Sequence, residues 1–265
     1  MAKHSLCRGQ DGREVAETGF NFGEWDAQVL RLTVFLTSPY SEAPSLWQNL
    51  AGSSPESDET RPRETFRRQT GAWQDGVLEV QITDPRIDIL ATPLPSAGAP
   101  PAFAFGEFAT QVGFFRDAIR PWLASAPLDC VRIAFGAVLV QKHPDRDSSY
   151  RRLAALVPSV KFNAATSREV FYRVNRPVPS RHIPSELNRM TSWSSVRTIT
   201  AFVLDPSAAA GLNTFAGNEQ NYARIECDNS TSADNKALFT PEVRVGIFDE
   251  LVDLAIGNAK SGEQP

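Results

Sequence analysis

Four carboxylates come nearest to an enzyme's equipment in this sequence: Asp84, Asp88, Glu226 and Asp228. Asp84 and Asp88 follow one strand pattern, and Glu226 and Asp228 occupy same-facing positions of another. Two or three of them converging would offer hard oxygen ligands to Mg²⁺ for cleavage of a phosphodiester. A nuclease of the restriction type would add a Lys two residues beyond the strand acid, but position 228 is Asp. The competing reading makes all four solvated or arginine-paired surface groups.

A second set is basic. Between Lys142 and Thr200 the chain carries eleven Lys and Arg against four acids, a net +7, whereas residues 1–141 carry −5 and residues 201–265 carry −6. Within that stretch Arg173, Arg176, Arg181, Arg189 and Arg197 form a candidate anion site, because guanidinium forks match phosphate and carboxylate geometry. Tyr172 and Trp193 would supply stacking faces if the ligand were single-stranded nucleic acid. The same segregation also fits one fold neutralising itself, with these arginines paired to Glu226, Asp228 and Asp234.

Other chemistries lack their residues. There is no Gly-x-Ser-x-Gly turn, and only His4, His143 and His182 could act as imidazole bases. No His or Cys pair has the spacing of a zinc site, so neither a metal nor a cofactor is expected. Cys7, Cys130 and Cys227 are odd in number and far apart, which fits a reducing, cytoplasmic setting. His143-Pro144-Asp145 matches the signature tripeptide of J-domain co-chaperones over about five residues, but it follows a strand pattern here. It reads as a turn closing that strand. No apolar run reaches the roughly 20 residues a membrane helix needs.

These residues must be positioned by an α+β fold of antiparallel sheet. Strands are expected at Val29–Thr37, Leu78–Thr83, Ile87–Ile89, Val131–Val140, Glu169–Asn175, Ser195–Leu204 and Asn221–Cys227, on apolar alternation and turn residues. Phe105, Phe108, Val112, Phe115, Ile119 and Trp122 recur at three and four, predicting an amphipathic helix over 104–123 that Pro121 kinks or ends. Thr240 as N-cap, Pro241 and Glu242 open a second long helix over 241–258. A short helix at Ser148–Leu156 would be capped by Ser148. Residues 41–69 read as a polar excursion with Trp47 as anchor. The two long helices pack on one face, and the chain divides into similar subdomains, 1–160 and 161–265.

Asn188-Arg189-Met190 near Trp193, a strand ending in Asp228-Asn229-Ser230-Thr231 and a helix with Asp249-Glu250-Leu251 resemble an uncharacterised, sporadically distributed prokaryotic family of about this length. The resemblance covers about the last hundred residues. Met190 and Asn229-Ser230 depart from the family's Asn-Arg-Leu and Asp-Ile-Asn-Thr patterns. Its patchy distribution implies a mobile or phage-defence context. The leading expectation is a non-enzymatic adaptor subunit of a multi-protein assembly, with protein partners and nucleic acid as a candidate ligand. The alternative is a metal-dependent phosphodiesterase using the four carboxylates.

Overall fold

A computed structural model describes residues 24–40, 43–61, 63, 65–95, 103–199 and 219–263. Ten strands form a single antiparallel sheet, accompanied by four helices among the described residues. In chain order these are β1 (Asp26–Leu36), α1 (Ala43–Ala51), β2 (Ser57–Arg61), β3 (Phe66–Trp73), β4 (Gly76–Thr83), β5 (Arg86–Pro93) and α2 (Phe108–Ser125). Then come β6 (Cys130–His143), α3 (Arg146–Leu156), β7 (Phe171–Asn175), β8 (Val178–Pro179), β9 (Glu186–Ile199), β10 (Glu219–Thr231) and α4 (Pro241–Ser261). The succession strand, helix, four strands, helix therefore occurs twice. The sheet order, β2-β3-β4-β5-β1-β6-β10-β9-β7 with β8 on β9, is close to a mirror of itself about the β1–β6 pair.

Period-two burial sets the layers. Leu30, Leu32 and Val34 of β1 lie in register with Ile133, Phe135 and Ala137 of β6 and with Ile87, Ile89 and Ala91 of β5, and all are buried on one face. All four helices cover that face. Phe115 of α2 and Phe248 of α4 both meet Phe135, with ring centroids 6.2 and 6.1 Å away. Trp47 of α1 lies against Gly71 of β3, where a Cβ would come within 3.0 Å of the indole. Ser149 of α3 contacts Ser195 of β9, on the side where Thr191 meets Asn258 of α4. No helix among the described residues is long and apolar enough to cross a membrane.

Several local expectations change. Residues 41–69 are not an excursion, since they hold α1, β2 and the start of β3. Leu46, Trp47 and Leu50 bury one side of α1, and Asp58 of β2 takes hydrogen bonds from Arg67 and Gln69 of β3. The helix over 104–123 starts later, at Phe108, and does not end at Pro121. Pro121 and Asp117 are both exposed, so water can satisfy the carbonyl that the missing N–H leaves free. Asp145, not Ser148, caps α3: its carboxylate accepts from the Ser148 backbone N–H at 2.6 Å. The strand expected from Ser195 starts earlier, with β9 opening at Glu186. Residues 200–204, read as strand, lie outside the described residues, as do His4 and Cys7. At α4 the expected cap is present, with Thr240 Oγ1 accepting from Val243 N–H.

Candidate functional site

Asp88, Glu226 and Asp228 are spread over the face of the sheet that none of the described helices covers. Asp84 sits in the turn between β4 and β5. Asp88 of β5 accepts a hydrogen bond of 2.7 Å from Thr33 Oγ1 of β1 and pairs with Arg86 at 2.6 Å. Glu226 and Asp228 share β10, the first 2.9 Å from Arg224 and the second 3.7 Å from Arg31 of β1. Between β5 and β10 lie β1 and β6. Three inter-strand steps of about 4.8 Å set Asp88 roughly 14 Å or more from Asp228. Among the described residues no group of three or more His, Cys, Asp or Glu is arranged to hold a metal ion.

The five arginines of the basic stretch do not converge either. Arg176 pairs with Glu263, which closes the C-terminal end of α4 and also accepts from Ser159 Oγ and Tyr172 Oη. Burial works against ionising the Glu263 carboxyl, but these three donors outweigh it and hold its pKa below the ordinary value. Arg181 reaches Glu250 of α4 at 3.3 Å, and Ser180 Oγ and the Arg181 backbone N–H donate to the same buried carboxylate. Arg189 is buried on the helix side of β9, where desolvation and the nearby Arg176 charge lower its pKa. Arg173 faces the opposite way and donates to Met190 Sδ. Arg197 stands at the far end of β9, 3.8 Å from Glu219. Further contacts of the same kind, such as Arg152 with Glu24 at 3.1 Å, join the basic stretch to its acidic flanks.

The short motifs of the last hundred residues meet at one junction. Arg189 is in register with Asn229 and Met190 with Asp228, and Asn229 Nδ2 donates 3.0 Å to the Leu251 carbonyl of α4. Asn229 and Thr231 are fully buried, and Thr231 Oγ1 accepts from Ile133 N–H at 3.1 Å. Buried polar groups placed this way fix strand register and helix position by hydrogen bonding. His182 packs its ring on Gly246 of α4. Cys130 and Cys227 are buried thiols, each pushed up to about 12 chiefly by desolvation, which removes them as nucleophiles.

Sequence reasoning missed one grouping. Arg146 of α3, Arg168 of the segment before β7 and Arg197 of β9 line a polar notch with Asn221, Tyr150 and Phe171. Their common position in the basic stretch is the sole trace of it in the sequence, because the notch exists only once α3 folds against β9. No protein-family model matches the chain, and no curated protein matches it.

Proposed function

We propose that the chain is a non-enzymatic binding or adaptor subunit of a multi-protein prokaryotic assembly, cytoplasmic and set in phage defence, within the sporadically distributed family its C-terminal motifs resemble. The observation that carries this reading is the face of the sheet that none of the described helices covers. From β3 to β7 the face spans seven inter-strand steps, roughly 34 Å at about 4.8 Å each. It presents arginine and carboxylate side by side: Arg68 with Glu79 at 2.6 Å, Arg86 with Asp88, Arg31 with Asp228, Arg224 with Glu226. Val29, Val77, Leu90 and Val138 lie among them on the same side by register. A mixed, shallow surface of this width suits a protein subunit of complementary charge better than a small substrate. Of the five arginines, the exposed Arg173 and Arg197 are the ones left to meet a polyanion or an acidic partner.

The repeated element succession supports the finer reading of two similar subdomains, each with one long amphipathic helix. On that reading the boundary moves from near residue 160 to 126–129, between α2 and β6.

Co-expression with the products of neighbouring genes tests the proposal. The chain is expected to co-elute with one of them on size exclusion, and Arg31→Glu with Glu226→Arg to break that complex without lowering the Tm. The phosphodiesterase alternative is tested with Mg²⁺ or Mn²⁺ and single- and double-stranded nucleic acids. Cleavage that Asp84→Ala or Glu226→Ala abolishes would sink the adaptor reading.

A further inference from the structure

The notch lined by Arg146, Arg168 and Arg197 lies where β7 stops short of the end of β9. β7 pairs with β9 only over Met190–Ser194, after which Ser195 N–H reaches the Val170 carbonyl at 3.4 Å. Beyond that point β9 continues to Ile199 against β10 alone. The first turn of α3 closes a third side. Its Ser149 hydroxyl meets that of Ser195 at 2.9 Å, and Tyr150 Oη donates 2.8 Å to the Arg168 carbonyl, holding the segment before β7 against the helix. The space enclosed is about 590 Å³, inside the roughly 300–1,000 Å³ typical of small-molecule sites.

Its lining is specific in kind. Arg168 is exposed and makes no ion pair among the described residues. Arg197 meets Glu219 only at 3.8 Å and Arg146 its neighbour Asp147 at 3.3 Å, both pairs largely in solvent. Contacts of that length and exposure hold little energy, so both forks can turn to a dianion. Glu169 also lines the notch, whereas the nearby Asp145 is committed to capping α3, and its backbone and side-chain hydrogen bonds with Ser148 keep its pKa low. Asn221 is 5% exposed, and among the described residues its Oδ1 has no hydrogen-bond partner. A buried acceptor without a donor is costly, and here a ligand O–H or N–H would satisfy it. Phe171, at the start of β7 and 67% exposed, borders the same notch.

We infer that this notch binds a small phosphate monoester carried on a hydroxyl-bearing ring, of the mononucleotide class. The phosphate lies between Arg168 and Arg197 with Arg146 beside them, a sugar hydroxyl donates to Asn221 Oδ1, and the base stacks on Phe171. This ligand goes beyond the adaptor reading.

Isothermal titration of the full chain with adenosine 5′-monophosphate, adenosine and ribose 5-phosphate tests it. The monophosphate is expected to bind, and adenosine to bind about tenfold more weakly or worse. Arg168→Ala with Arg197→Ala should weaken the monophosphate by about tenfold or more, through lost charge-assisted hydrogen bonds. Both side chains are exposed, so the Tm without ligand should not move, which separates lost binding from lost folding. Phe171→Ala should weaken the monophosphate but not ribose 5-phosphate. Unchanged affinity in the double variant, or no heat from either phosphate ester at about 1 mM, overturns the assignment. So does a 5′-phosphorylated oligothymidylate that binds more tightly than the monophosphate with steep salt dependence, which would make the notch a nucleic-acid site.

Discussion

Glu263 shows how one residue at the end of α4 holds three segments. Its carboxylate takes donors from Arg176 at the β7 end, Tyr172 within β7 and Ser159 after α3. Because those donors favour the charged form, the folded-state pKa lies below the ordinary 4.5. The stabilisation is therefore complete above the unfolded value and is lost as pH falls through the depressed folded one. Glu263→Gln should flatten the fall in Tm below about pH 4.5, and a slope identical to that of the native chain would remove Glu263 from that role. Arg244 ties down the opposite end of α4. Buried in α4, it donates 2.8 Å to the Leu128 carbonyl and 2.9 Å to that of Ala126, where α2 ends. A cation there satisfies carbonyls that follow the C-terminal end of α2 and opposes the dipole of that helix. Arg244→Met leaves the buried Leu128 carbonyl unpaired, while that of Ala126 keeps the Leu128 backbone N–H, and should cost about 1–3 kcal/mol, measurable by urea denaturation.

Elements whose apolar residues carry a complete local period were legible from sequence, and those completed by tertiary contact were not. Phe108, Val112, Phe115, Ile119 and Trp122 give α2 a period by themselves, and Thr240-Pro241 starts α4 from local chemistry alone. α1 has only Leu46, Trp47 and Leu50 in a polar stretch, and what holds it is the indole seated on Gly71. The start of β9 was hidden for the opposite reason. Its buried side runs Leu187, Arg189, Thr191 and Trp193, so polar residues on the core face erase the alternation. The candidate site failed similarly: acids on β5 and β10 look alike in sequence, and only the intervention of β1 and β6 separates them. Between α2 and α4 the packing itself is testable. Phe115 is 1% exposed and meets Trp73 and Phe135. Phe115→Ala should cost about 3–5 kcal/mol through the cavity it leaves. A change near zero in thermal denaturation would mean that α2 does not pack there.

At the scale of the molecule the question is whether two similar halves behave as two units. Their shared boundary is a strand ladder: β1 pairs with β6 from Asp26–Val140 to Leu36–Cys130. β6 also pairs with β10 over Ala134–His143, so its hydrogen bonds run to both sides. A cut near residue 160 would leave β6 with the first half and strip β10 of its neighbour, while a cut at 126–129 would strip β1. Either cut exposes a long strand edge, and it also separates α2 from α4, which close over Phe135 together. Such a core has no place to melt in parts. Scanning calorimetry should therefore show one transition whose calorimetric and van't Hoff enthalpies agree, and residues 130–263 expressed alone should fail to give dispersed amide resonances. Two resolved transitions, or a folded half, would mean that the β1–β6 ladder is an interface between autonomous subdomains rather than the middle of one sheet.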